Sequence, residues 1–239
     1  MAIEEDPNKL DIVSTNIDGC GYPADGKRAV IGALEGEQIF GEPFVKKKGK
    51  RFFRIKEVIQ KSPERVEPLC GVASVCGGCS FQHVTSDYQL KLKEEYLVSL
   101  IGPLQPERWV KPINLNNYSY RTRARLGVRY VEKKAKVLIG FREKLKSYIT
   151  DMESCPIMIE RASNMLGPLT KTVQELSVRK AIPQIEVVAG DNQIGLIFRH
   201  LAPLTNADEK ALATFSKRFD IRIFLQSGGP ETIKKLFPK

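Results

Sequence analysis

Between Leu10 and Lys61 apolar and polar residues alternate in short runs: Leu10-Asp11-Ile12-Val13, Arg28-Ala29-Val30-Ile31, Glu37-Gln38-Ile39-Phe40 and Phe53-Arg54-Ile55. A period of two sends one set of side chains inward and the other to water, so each run predicts a strand. Asp25-Gly26 and Gly36-Glu37 punctuate them as turns. Short strands joined in this way predict a small antiparallel barrel of the oligonucleotide-binding kind. Ser62-Pro63-Glu64-Arg65 follows as a short linker.

From Asp87 to Leu100 the pattern changes to Leu90, Tyr96, Leu97 and Leu100 among lysines and glutamates, a helix with Ser86 as its cap. Strands are expected at Tyr120 to Tyr130, Lys136 to Phe141 and Lys146 to Asp151. Helix returns around Ile157 to Val178, interrupted by Gly167-Pro168. A hairpin turns at Gly190-Asp191-Asn192 between Gln184 to Ala189 and Gln193 to Arg199. A helix from about Asn206 to Phe219 and a strand from Ile221 to Leu225 complete a mixed sheet with helices on it. The fold class is therefore α+β, a small barrel followed by a mixed α/β domain. There is no internal repeat and no low-complexity tract.

Four of the five cysteines alter this picture. Cys70, Cys76 and Cys79 share one glycine-rich loop with C-x5-C-x2-C spacing, and Cys155 stands far downstream, just before Pro156. Three thiolates in a short loop hold three corners of a tetrahedral set, and the fold must deliver the fourth. Thiolates select soft centres, chiefly iron-sulfur clusters and zinc. Spacing alone leaves three readings open: a four-iron cluster, zinc, or no metal. The sharpest zinc version is local, Cys70, Cys76, Cys79 and His83, and leaves Cys155 idle. Disulfides are disfavoured by the odd count and by an N-terminal stretch without secretory character, so a reducing cytoplasm is expected.

With 42% hydrophobic residues, the 239-residue chain can build a proper core. No apolar stretch approaches membrane-spanning length. The net charge of +10 points to an anionic partner, and its distribution points to nucleic acid. Residues 46 to 56 read KKKGKRFFRIK, with Phe52 and Phe53 as candidate stacking partners. Residues 120 to 125 read YRTRAR. On a strand Arg121, Arg123 and Arg125 share one face, where they repel one another unless an anion lies across them. The candidate RNA contacts are Lys46, Lys47, Lys48, Lys50, Arg51, Arg121, Arg123, Arg125 and Arg142.

Several familiar chemistries are unsupported. Gly19-Cys20-Gly21-Tyr22-Pro23-Ala24 matches a dinucleotide string, but Pro23 and Asp25-Gly26 suit a hairpin rather than a helix start. There is no P-loop. His83 and His200, the only histidines, have no serine nucleophile beside them and read as structural. Cys20 reads as a small packed residue.

The stretches SPERVEPLCGVASVCGGCSFQHVTSDYQLKLK, SYRTRARLGV, IGFREKLKSYITDMESCPI and FRHLAPLTNADEKAL resemble the iron-sulfur RNA uracil-5-methyltransferases, the branch acting on 23S rRNA, nearly end to end. The resemblance implies a TRAM domain over residues 1–62, an RNA-binding barrel, and a central domain over residues 63–239. It implies a 4Fe-4S cluster held by Cys70, Cys76, Cys79 and Cys155. It also implies RNA, 23S rRNA in particular, as partner. In that family a C-terminal domain binds S-adenosylmethionine, and its cysteine adds to uracil C6. Neither a cofactor loop nor that cysteine has a counterpart in these residues, so the catalytic domain is expected to be absent from the chain and supplied separately or downstream. The chain alone is expected to be inactive, the front of a truncated transferase. The alternative is a stand-alone RNA-binding module with a structural iron-sulfur or zinc site and no catalysis.

Overall fold

A computed structural model of the chain describes residues 6–238. The chain divides into two compact units, residues 1–74 with 79–115, and residues 75–78 with 116–239. This division by compactness differs from the expected one at 62/63, because the cysteine loop and the following helix are grouped mainly with the barrel strands.

In the first unit β1 (Lys9–Asp11), β2 (Ser14–Thr15), β3 (Cys20–Tyr22), β4 (Arg28–Ile31), β5 (Gln38–Lys47) and β6 (Lys50–Gln60) form one sheet, in the order β1-β5-β6-β4-β3-β2. It curls into a half-barrel around Leu10, Ile12, Val30, Ala33, Ile39 and Phe53. Full burial of each large side chain contributes about 1.5–3 kcal/mol. The sheet is not wholly antiparallel as expected, because β4 and β6 pair in parallel from Arg28 opposite Arg51 to Ile31 opposite Arg54. The chain reverses twice, once into β5 and once into β6, and so returns beside β4 in its original direction.

Ser62 to Arg65, expected as a short linker, is anchored at both ends. Glu37 is 2% exposed, and Arg65 reaches it with two donors, Nε to Oε1 at 2.5 Å and a terminal nitrogen to Oε2 at 2.7 Å. The same arginine donates to the Gly32 carbonyl at 2.6 Å. The remaining acceptor capacity of Glu37 is used by the backbone N-H groups of Leu34 and Ser62. The next helix, α1 (Ser86–Ile101), is capped by Thr85 instead of Ser86. The Thr85 hydroxyl donates to the Glu64 carboxylate, which draws it away from the helix start. Leu92 is the buried residue of α1, whereas Leu97 and Leu100 are 46% and 57% exposed.

The second unit contains β7 (Arg123–Val131), β8 (Lys136–Gly140), α2 (Glu160–Ser163), α3 (Leu166–Glu175), β9 (Gln184–Ala189), β10 (Ile194–Arg199), α4 (Asn206–Phe219), β11 (Arg222–Gln226) and β12 (Lys234–Phe237). The sheet order is β12-β11-β10-β9-β7-β8. β10 and β11 run parallel, which requires a crossover, and α4 provides it. Helices α3 and α4 cover one sheet face. There Leu126, Ile185, Val187, Leu196, Phe198 and Ile223 are buried with Leu169, Val173, Leu212 and Phe215.

Three expectations in this unit change. No strand forms over Lys146 to Asp151. Instead Leu145 adopts φ +59°, and the Glu143 and Thr150 N-H groups bond to the Tyr148 and Phe141 carbonyls, closing a compact loop. The expected interruption at Gly167-Pro168 instead falls in the first turn of α3, where proline costs no helical hydrogen bond, so the break precedes Leu166. Strand β12 lies beyond the last element read from the pattern.

Thr205 caps α4 in a reciprocal box with Asp208. Burial alone raises the Asp208 pKa. Hydrogen bonds from the Ser177 and Thr205 side chains and backbones outweigh it and lower the value to about 2, from an ordinary 3.8. A carboxyl lowered on folding contributes stability above its unfolded pKa and loses it as pH falls toward its folded pKa. The shift corresponds to roughly 2 kcal/mol. Asp208→Asn is therefore expected to lower stability by about that much at pH 7, with the deficit narrowing between pH 4 and pH 2. Urea melts across this range measure it. A deficit independent of pH would refute the assignment.

Candidate nucleic-acid interface and cysteine loop

The lysine-rich segment spans the β5-β6 hairpin. Lys48 and Gly49 form its turn, with φ of +48° and +80°, the left-handed pair that a tight two-residue hairpin demands. Register then sets Lys47 opposite Lys50 and Lys46 opposite Arg51. Lys46, Lys47, Lys48, Lys50 and Arg51 are all exposed, and no acidic side chain pairs with them among the described residues. Like charges facing across a ladder are destabilising unless a counter-charge lies over them.

The aromatic residues of this segment do not face water as a pair. Phe53 is 5% exposed in the barrel core, and Phe52 packs partly buried against Cys20, Tyr22 and Ala29. Rings and cations meet elsewhere on the hairpin: Lys50 lies 4.6 Å from the Tyr22 ring centre and Arg54 lies 3.7 Å from that of Phe44. The dinucleotide-like string contains strand β3 and a turn, with Cys20 packed in the small cluster under it.

The arginine row is split by its surroundings. Arg123 and Arg125 alternate with buried Ala124 and Leu126 on β7 and share its exposed face. Arg125 donates to Glu186 at 3.1 Å, whereas Arg123 has no ion pair among the described residues. Arg121 precedes the strand. Its backbone bridges to Met158, and its guanidinium donates to the Gly78 carbonyl at 3.3 Å and stands 5.3 Å from the Phe141 ring centre.

None of the five cysteines is in a disulfide. Residues Val75 to Gly78 attach to the loop after β8. Cys76 bridges to Glu143, Gly77 N-H donates to the Arg142 carbonyl at 2.8 Å, and Lys144 N-H donates to Val75. A Cβ at Gly77 would stand 2.8 Å from that Arg142 oxygen, so only glycine permits the approach. Arg142 thus serves the loop through its backbone, with its side chain exposed. Two sulfurs accept N-H donors: Cys76 from Gly78 at 3.4 Å and Cys79 from Gln82 at 3.2 Å. Cys155 is 5% exposed, and its N-H donates to the Ser163 hydroxyl.

Cys70 and Cys79 belong to the first unit, and Cys76 and Cys155 to the second. Among the described residues, no three His, Cys, Asp or Glu side chains form a metal-holding group. His83 is 8% exposed, with its ring beside Gly32, and His200 bonds to the Ala202 carbonyl at 2.9 Å through Nδ1. The Arg65-Glu37 pair joins residues 28 positions apart, and no local sequence pattern announces it. The exposed arginines Arg199 and Arg222 do carry a sequence signal, the alternation in Ile194 to Arg199 and Arg222 to Gln226.

No helix of the described residues is long and apolar enough to cross a membrane. No family model matches the chain. It is 41% identical over 243 residues to the 23S rRNA (uracil(1939)-C(5))-methyltransferase RlmD of Nitrosococcus oceani, covering 99% of this chain and 54% of the relative. The enzyme of the same name from Hahella chejuensis is 41% identical over 219 residues, 90% of this chain and 49% of the relative. Among solved structures, the tRNA (uracil-54, C5)-methyltransferase of Pyrococcus abyssi, in complex with S-adenosyl-L-homocysteine, aligns with a TM-score of 0.67 at 21% identity. That alignment covers 95% of this chain and 53% of the archaeal one, a likeness of fold. The chain thus spans about half the length of the curated relatives it matches, and those relatives are named as RNA uracil-5-methyltransferases.

Proposed function

We propose that these residues are the RNA-recognising, cluster-bearing part of an S-adenosylmethionine-dependent 23S rRNA uracil-5-methyltransferase, working in the cytoplasm with a catalytic domain outside them. The observation that carries the reading is the tip of the β5-β6 hairpin, where cations face cations across the ladder and, among the described residues, no acidic side chain pairs with them. An extended phosphate backbone supplies the missing counter-charge. The half-barrel then acts as a TRAM-like RNA-binding module over residues 1–62, with residues 63–239 as the central domain. The relatives' names supply the reaction class.

Cys70, Cys76, Cys79 and Cys155 would hold a 4Fe-4S cluster. The donor set suits it: four cysteines outside any disulfide, with amide donors already directed at two of the sulfurs. Held by these four thiolates, such a cluster would anchor the loop and would supply a one-electron couple. Arg121 and Arg142 support that loop, Arg121 by donating to the Gly78 carbonyl and Arg142 by accepting the Gly77 N-H at its own carbonyl.

Purified chain is expected to bind a uridine-bearing 23S rRNA fragment with strong salt dependence, yet to leave no 5-methyluridine when given methyl-labelled S-adenosylmethionine. Replacing Lys46, Lys47, Lys50 and Arg51 with glutamine is expected to weaken binding on the order of 100-fold at low salt. The slope of log affinity against log salt should fall by about 3, since each single-strand phosphate contact contributes about 0.7. Fluorescence anisotropy over a salt series reads both. An affinity indifferent to these changes would make the hairpin a solvated face, and methyl transfer by the chain alone would place a catalytic site within it.

A further inference from the structure

We propose that the helix-free face of the second sheet is a single-stranded RNA platform, in which Phe224 stacks on a base while Arg123, Arg199 and Arg222 hold phosphates. This inference deepens the RNA reading above and rests on it. Cross-strand register shows that these residues share a face. Arg123 of β7 lies opposite Val188, which lies opposite Gly195, which lies opposite Arg222. The next row runs Arg125, Glu186, Ile197, Phe224 and Lys235 across β7, β9, β10, β11 and β12. In the row after that, Gln184 stands opposite Arg199. Directly paired residues point the same way, and α3 and α4 bury the alternate set.

The face has two textures. Val188, Ile197 and Phe224 are partly buried and make an apolar floor, with Phe224 lying over Gly195, where an added Cβ would be 3.3 Å from the ring. Around that floor stand exposed arginines. Arg125 is already held by Glu186, the only carboxylate the strands contribute to this face. Arg123, Arg199 and Arg222 have no ion pair among the described residues. Adjacent strands are about 4.8 Å apart, so Arg123 and Arg222 flank the floor across roughly 14 Å.

Exposed guanidinium groups around an aromatic and aliphatic floor suit an extended, unpaired strand. Each base has a π-face for the ring, and each phosphate accepts the planar arginine fork. Duplex RNA keeps its bases stacked on one another and offers none to Phe224. A second copy of this chain would bring the same positive face against itself, so charge favours RNA.

The test uses the full chain, purified anaerobically, with a fluorescent single-stranded oligoribonucleotide and the 23S rRNA fragment. Arg199→Gln with Arg222→Gln is expected to weaken binding about tenfold and to reduce the salt slope by about 1.4, for two single-strand phosphate contacts. Phe224→Leu should weaken binding at least about fivefold with the slope unchanged, and Phe224→Tyr should restore it. Thermal melts of each variant establish that the fold is intact. If these variants bind like the parent while the β5-β6 hairpin variant is weakened, the platform is wrong and the RNA reading stands. If the parent itself shows no salt-dependent RNA affinity, the RNA reading falls and takes the platform with it. If the double variant changes sedimentation but not RNA affinity, the face joins copies of the chain and the proposal is overturned.

Discussion

Replacing Glu37 with alanine is expected to cost about 3–5 kcal/mol, enough to unfold the first unit of a marginally stable protein. The side chain of Glu37 has no exposure and that of Arg65 has 13%. Removing the carboxylate leaves a guanidinium with little water around it and strands the Leu34 and Ser62 N-H groups that now donate to Glu37. Arg65→Ala should cost a similar amount by leaving the buried carboxylate uncompensated. Replacing both with apolar residues, Glu37→Leu with Arg65→Met, should cost less than either single change, because the penalty comes from a charge left without its partner. Urea melts followed by circular dichroism give all three values. A single-variant cost below about 1 kcal/mol would mean that the pair behaves as an exposed surface bridge.

Cys155→Ala is expected to abolish cluster binding, whereas His83→Ala leaves it intact. Purified without oxygen, the parent chain should be brown and contain about four irons and four acid-labile sulfides. Three loop thiolates leave the cluster one ligand short, and Cys155 is the remaining member of the quartet implied by the resemblance to the iron-sulfur methyltransferases. Iron, zinc and sulfide assays on the three proteins decide the matter. One zinc without sulfide, or metal lost with His83 and retained without Cys155, would replace the four-thiolate reading with the local zinc set.

Much of the fold was legible because its causes are local. The hairpin of β9 and β10 follows from two alternating runs around Gly190-Asp191-Asn192, and α4 occupies Asn206–Phe219 because Thr205 and Asp208 mark its start within four residues. The lysine hairpin was visible as a charge run. Its significance as opposed cations depended on a register set by Lys48 and Gly49. The arginine row was half legible. Alternation placed Arg123 and Arg125 together, but nothing nearby in sequence announced that Arg121 would leave the strand for the Gly78 carbonyl.

Composition, periodicity and cysteine spacing by themselves determined an α+β chain with a barrel-like front, a positive surface and a thiol-rich loop. Each of these is a property of residues within a few positions of one another. The tertiary structure decided which of Phe52 and Phe53 enters the core, that β4 pairs in parallel with β6, and that Arg65 closes on Glu37. It also set Arg123, Arg199 and Arg222 on one sheet face with Phe224. These outcomes join residues from 23 to about 100 positions apart. Their energies depend on burial and strand register, which arise only when distant segments have packed.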